Sequence, residues 1–263
     1  MTEAAKTLTH PAYGSLRAVT ETASVLLADN PGLLTLDGTN TWVLGGPRSD
    51  ELVIVDPGPD DDGHIARIAA LGRVALVLIS HRHGDHTDGI DKLVELTGAT
   101  VRSAGSGFLR GLGGELVDGE VIDAAGLKIT VMATPGHTAD SLSFVLDDAV
   151  LTADTVLGRG TTVIDKEDGS LADYLESLRR LKGLGRRAVL PGHGRDLVDL
   201  ESVASGYLMH RHERLEQVRA ALWELGSDAT TREIVEYVYV DVDEKLWDAA
   251  EWSVQAQLDY LRR

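Results

Sequence analysis

A layered α/β fold, shading into α+β through a helical end, is predicted by three observations. Strand-like and helix-like segments alternate from about residue 18 to about residue 198. Beyond that point the strand signals stop and helical spacing runs on to residue 263. The chain has 263 residues, 43% of them apolar, which suffices for a sizeable core in one large domain or in a domain with a small appendage.

The first elements read as a meander of short strands: ASVLL (23–27), LLTL (33–36), TWVLG (41–45) and LVIVDPG (52–58), parted by the NPG and DGTN turns. HIARIAALG (64–72) then reads as a helix, VALVLIS (74–80) as a buried strand, and GIDKLVELTG (89–98) as a helix ended by Gly98. In the second half LKITVMA is a strand running into the TPGH loop. SFVL and AVLTAD form a hairpin across Asp147 and Asp148. Leu171, Tyr174, Leu175, Leu178 and Leu181 recur at helical spacing behind Ser170 as N-cap, and RAVLPGHG gives a last strand and loop. Ala204, Leu208, Leu215, Val218, Leu222 and Leu225 make one helical stripe, followed by two further helical stretches, TREIVEYVYV and the segment from Glu244. The expected division is a domain over 1–208 and a helical appendage over 209–263.

The formal charge of -17 disfavours extended tracking along a polyanion, because a uniformly acidic surface repels phosphate. There is no cysteine, so disulfides, thiolate nucleophiles and thiolate zinc sites are excluded. Any metal must sit on His, Asp or Glu. The apolar runs are far shorter than the roughly 20 residues of a membrane span, and residues 1–17 show no leader-like apolar core, so a cytoplasmic location and no membrane partner are expected.

Candidate chemistry concentrates in SHRHGDHTDG (80–89). His81, His83, Asp85 and His86 stand within six positions, on a loop between a buried strand and a helix start, and they are imidazole and carboxylate donors that zinc accepts. Three more candidates each follow a predicted strand: His137 in TPGHT, Asp154 in LTADT and His193 in LPGHG. Five of the nine histidines fall in these motifs. His10 and His64 lie outside them and are expected to be surface residues.

The series HRHGDH, TPGHT, LTADT, PGHG resembles the ligand series of the metallo-β-lactamase superfamily over about residues 20–200, and TNTWVLG and VDPG match its early segments. The resemblance implies an αββα sandwich and a dinuclear centre. One metal would take His81, His83 and His137; the other would take Asp85, His86 and His193; Asp154 would bridge them. Asp56 would be a buried structural buttress. Two Zn2+ ions are expected, with Mn2+ or Fe2+ as alternatives. Such a pair lowers the pKa of a shared water towards ~7, making a bridging hydroxide the expected nucleophile and Asp85 the expected proton acceptor.

Within the superfamily the chain is most similar to the β-lactamase-like protein 2 family, through TNTWVLG, LGRGTTVIDKEDGSLADYLESLRRLKGL, LPGHG and YLMHRHERLEQV. That resemblance implies a winged-helix-like tail and a single-stranded RNA phosphodiesterase. Hydrolysis of a small acyl thioester or ester, as in glyoxalase II, is the alternative, and a non-catalytic metal-binding protein the third. No β wing is evident before residue 263 and the appendage is acidic on balance, so duplex DNA is not an expected partner. His210, Arg211 and Arg214 are the candidate substrate contacts, as cations able to meet a phosphate or carboxylate. The cluster Arg179, Arg180, Lys182, Arg186 and Arg187 reads as a solvated helix face.

Overall fold

The structure is a computed structural model and describes residues 8–262. Residues 1–7, on which part of the leader reading falls, lie outside the described residues, as does Arg263. A six-stranded sheet runs in chain order: β1 (Arg17–Ala18), β2 (Ala23–Leu27), β3 (Asn40–Leu44), β4 (Glu51–Val55), β5 (Arg73–Leu78) and β6 (Thr100–Arg102). Its first four strands are antiparallel and its last three parallel. The five-stranded second sheet has the order β11-β10-β9-β8-β7, from β7 (Val121–Ala124), β8 (Leu127–Ala133), β9 (Leu142–Val145), β10 (Ala149–Ala153) and β11 (Ala188–Pro191). Helices α1 (Asp62–Ala69), α2 (Gly84–Thr87) and α3 (Ile90–Thr97) follow β4 and β5; α4 (Leu171–Gly183) precedes β11; α5 (Leu200–Leu225), α6 (Thr231–Val238) and α7 (Trp247–Leu261) complete the chain.

Strand alternation makes the layers. Trp42, Leu44, Val53, Val55, Leu76 and Leu78 face the second sheet and meet Ile129, Val131, Phe144, Leu151 and Leu190 in a common core. Their neighbours Val43, Ile54 and Val77 point the other way, onto Ile65 and Ile68 of α1 and Ile90 and Leu93 of α3. Val150 and Val189 likewise meet Tyr174, Leu175 and Leu178 of α4. The result is the expected helix, sheet, sheet, helix sandwich. The parallel pairs β4/β5 and β10/β11 are covered on both faces, as parallel strands require.

Several local expectations hold and others need correction. Ser170 caps α4 through Asp173 N, and Gly98 closes α3 in the left-handed region at φ 67°. LLTL is a turn and not a strand: Thr35 Oγ1 donates to Asn30 O at 2.7 Å, Leu36 has φ 57°, and Leu33 and Leu34 are exposed. Leu36 bridges back to Gly32 within the turn itself. The short strands β1, β6 and β7 carried too little periodic signal; Val121 of β7 is exposed at its outer face. His64 is buried, 3% exposed, with Nε2 2.9 Å from Thr41 Oγ1, and His10 lies against Asp37 at 3.1 Å, so neither is the surface residue its isolation suggested. Arg180 and Arg187 are likewise engaged, with Asp118 and with Leu146 O.

Helix α5 passes without a break through 208/209, the expected boundary, so the appendage is joined by continuous helix. Val218, Ala221, Ile234, Val235, Val254 and Leu258 form its own small core. Among the described residues from 230 onward there is no strand.

Candidate metal centre

All seven candidate side chains meet at one edge of the sandwich, at the carboxyl ends of β5 and β10 and in the loops after β8 and β11. Asp56 organises the first of these loops. It follows β4 at φ 56°, is 2% exposed, and accepts from Ser80 N at 2.8 Å and from Ser80 Oγ at 2.6 Å. Its Oδ2 lies 2.9 Å from His86 Nδ1. One buried carboxylate therefore ties the start of the HRHGDH loop to its last histidine.

His81, His83, His137 and Asp154 form one group of converging donor atoms, and Asp85, His86 and His193 form another. His83 Nδ1 stands 3.0 Å from His81 Nε2 and 3.1 Å from His137 Nε2. In the second group His86 Nε2 is 3.2 Å from His193 Nε2, and both lie close to Asp85 Oδ2, at 3.3 and 3.2 Å. Four donors at ~2.0–2.1 Å around a tetrahedral ion are about 3.3 Å apart, so these spacings fit zinc-sized coordination. Asp154 lies between the groups: Oδ2 is 3.3 Å from His193 Nε2 and 3.7 Å from His137 Nε2, and the buried Oδ1 has no hydrogen-bond partner. An orphaned carboxylate oxygen facing several imidazoles is what a bridging ligand leaves when its cations are taken away.

The outward ring nitrogens are all engaged. His81 Nδ1 lies 2.9 Å from Ser80 Oγ, whose own proton goes to Asp56; His137 Nδ1 is 2.7 Å from Val163 O; His193 Nδ1 is 3.1 Å from Gly38 O; His83 Nε2 is 3.0 Å from Asp165 Oδ2. Each acceptor takes the outward N–H and turns a lone pair inward, the arrangement that orients metal-binding histidines. Burial keeps His81 and His137 below the usual histidine range, favouring the neutral imidazole at both. In the second group burial works against charge, but Asp85, Asp56 and Asp154 raise His86 to about 9, and Asp154 with Asp85 raises His193. Burial also opposes ionisation of Asp154, yet His193 and His86 hold its carboxyl well below the ordinary range. The centre is built for added positive charge.

Close packing sets a further requirement. A Cβ on Gly192, in the PGHG loop, would stand 2.3 Å from Asp154 Oδ1 and 2.9 Å from His86 Cε1. Sequence reasoning missed the supports Thr39, Asn40 and Asp165. Thr39 Oγ1 donates to Asp85 Oδ2 at 2.9 Å, and Asn40 Nδ2 donates to Pro191 O and Gly194 O at 2.9 and 2.8 Å, clasping the His193 loop. The adjacent Thr-Asn pair before a strand was the available signal.

The cluster floors a cavity of about 620 Å³. Its walls are mainly apolar: Leu33 and Leu34 from the turn after β2, Leu157, and Val242, Leu246 and Trp252 from the appendage. Of the candidate substrate contacts, His210, Arg211 and Arg214 all line it, but unequally. Arg211 is 2% exposed, its guanidinium bonded to Thr162 O and stacked 4.9 Å above the Tyr174 ring, which makes it a brace and not a free cation. Arg214 lies 4.5 Å over Tyr239, and His210 is half-buried.

Comparison with known proteins places these features in a family context. Residues 34–193 match the family described as the Metallo-beta-lactamase superfamily, and residues 230–263 match the Beta-lactamase associated winged helix domain. The chain is 33% identical over 251 residues to an atrochrysone carboxyl ACP thioesterase of Aspergillus chevalieri, covering 89% of this chain and 78% of that protein. It is 30% identical over 242 residues to the beta-lactamase-like protein 2 homolog of Caenorhabditis elegans, covering 86% and 79%. A beta-lactamase domain protein from Burkholderia ambifaria has the same fold, with TM-score 0.81 and 21% identity over 97% of this chain and 89% of that one.

Proposed function

The chain belongs to the metallo-β-lactamase superfamily, with its metal-dependent hydrolase fold, and on that premise we propose that it hydrolyses an ester or thioester carrying a large apolar acyl group. The observation that carries this reading is the cavity: the donor cluster opens into about 620 Å³ walled by leucines, a valine and a tryptophan. An apolar wall rewards burial of alkyl or aryl surface, and of the arginines that also line the cavity Arg159 is paired with Asp37, Arg211 is bonded to Thr162 O and Arg214 is stacked on Tyr239. The charge of -17 points the same way. The similarity to a protein named as a thioesterase supports it.

His81, His83 and His137 would hold one metal and Asp85, His86 and His193 the other, with Asp154 shared; zinc is the proposed metal. Two divalent ions bound there would supply hydroxide-generating and Lewis-acid chemistry at neutral pH. The chain's own residues do the rest. The acyl tail lies between Leu33, Leu34 and the appendage, which excludes water from the reacting carbonyl. Asp85, fixed by Thr39 and lining the cavity, accepts and returns the proton that the leaving group requires.

A homologous series of acyl thioesters and esters assayed with metal-replete protein tests this, beside a labelled single-stranded RNA. Burial of one methylene is worth ~0.8 kcal/mol, so kcat/KM is expected to rise about fourfold per added carbon until the cavity is full. A flat acyl series with efficient RNA cleavage would instead establish the phosphodiesterase that the sequence motifs implied.

A further inference from the structure

The loop between β10 and α4 does more than connect them. It supplies the acceptors for two histidines of one metal group: Val163 O for His137 Nδ1 at 2.7 Å and Asp165 Oδ2 for His83 Nε2 at 3.0 Å. Asp165 N also donates to His137 O at 2.9 Å. The other group relies on different partners, Asp56 for His86 and Gly38 O for His193. Only the near end of the loop touches it, through Gly158 N to His193 O at 2.9 Å.

Thr162 anchors the loop from inside, donating from Oγ1 to Asp154 O at 2.6 Å. From outside, α5 reaches in with Arg211, whose Nη2 donates to Thr162 O. Arg211 is 2% exposed, and its Nε has no hydrogen-bond partner. A guanidinium is costly to bury, and this one gives its reach to a single carbonyl adjacent to Val163 while stacking on Tyr174. Tyr174 in turn donates to Thr155 O at 2.7 Å, one residue beyond Asp154.

We infer that Arg211 is a positioning residue. By gripping the Thr162 carbonyl it fixes the 162–165 segment, whose Val163 and Asp165 acceptors aim His137 and His83, and so it sets the affinity of the three-histidine metal site selectively. The appendage helix and one half of the centre are thereby mechanically joined.

The test measures zinc affinity of apoprotein by competition with a chromophoric chelator, one site at a time. In a His193→Ala background, which cripples the Asp85/His86/His193 site, Arg211→Met should weaken the remaining three-histidine site by roughly 10- to 100-fold. In a His81→Ala background, which leaves the other site, the same change should alter affinity by less than about twofold. Cobalt substitution gives a second readout: the visible bands of the three-histidine site should shift in Arg211→Met and recover partly in Arg211→Lys. Equal losses at both sites, or none at either, would overturn the inference. Should Arg211→Met fail to fold, Asp165→Asn on the loop itself must give the same one-sided loss, and an even loss overturns it equally. The inference rests on the metal-centre reading, but the two fail differently. Wild-type protein binding no metal ends both, whereas normal wild-type binding with an unselective Arg211 effect ends this one alone.

Discussion

Single residues divide the labour at the centre in ways their types alone do not reveal. Asp56, Asp85, Asp154 and Asp165 are the same side chain in four settings: loop buttress, half-buried candidate ligand, buried candidate for sharing between the two groups, and histidine orienter. Burial and partners separate them: Asp56 spends both oxygens on Ser80 and His86, Asp154 keeps one oxygen orphaned, and Asp85 turns Oδ2 to Thr39, His86 and His193. Substituting Asp85 by Asn keeps an oxygen donor while removing the basic carboxylate. Turnover is expected to drop by ~10²-fold or more with metal content reduced far less, a separation read by steady-state kinetics beside elemental analysis. Matching losses of turnover and metal would limit Asp85 to holding the ion. The seven donors that converge were legible from HRHGDH, TPGHT, LTADT and PGHG, because a cluster of donors at loop positions has few other physical uses. Asp165 and Asn40 were not, since an orienting partner is defined by distance across the fold.

At the scale of elements, the α1 segment shows how a helix fixes the loop next to the site. Asp61 caps it by accepting from His64 N at 2.6 Å, and His64 turns inward against Thr41, beside the backbone of Gly58. Burial there lowers the His64 pKa to about 4, against about 6.5 in an unfolded chain. Between those values the unfolded state binds the extra proton, so stability is full above pH 6.5 and falls as the pH drops towards 4. The loss amounts to about 3 kcal/mol at its limit. Chemical denaturation of apoprotein at pH 7.5 and 4.5 should show it, and His64→Gln should flatten the slope across that window. An unchanged slope would mean that other groups govern acid sensitivity. Periodicity revealed α1, α3 and α4 because their buried faces are long enough to repeat. The turn at 33–36 defeated the same reasoning: its leucines look like a strand but serve the cavity.

Over the whole molecule, the appendage and the sandwich share one cavity, so the proposed acyl site requires both to be folded together. Trp252 on α7 lines that cavity and also lies 5.1 Å below the Lys166 ammonium of the loop that bonds His83 and His137. Trp252→Ala should leave metal content at the wild-type level while raising KM for long acyl substrates about tenfold and flattening the chain-length dependence. Loss of metal in that variant would show that the appendage supports the centre and does not form substrate space. The sequence by itself determined the layered order of strands and helices, the helical end and the seven donor side chains, since alternation, capping and donor type are local properties of the chain. The tertiary structure alone decided which acceptors aim the donors, that Arg211 is a brace, and that the space above the cluster is mainly apolar. Each of those depends on contacts between residues tens to more than a hundred positions apart, whose distances follow from packing and not from any local pattern.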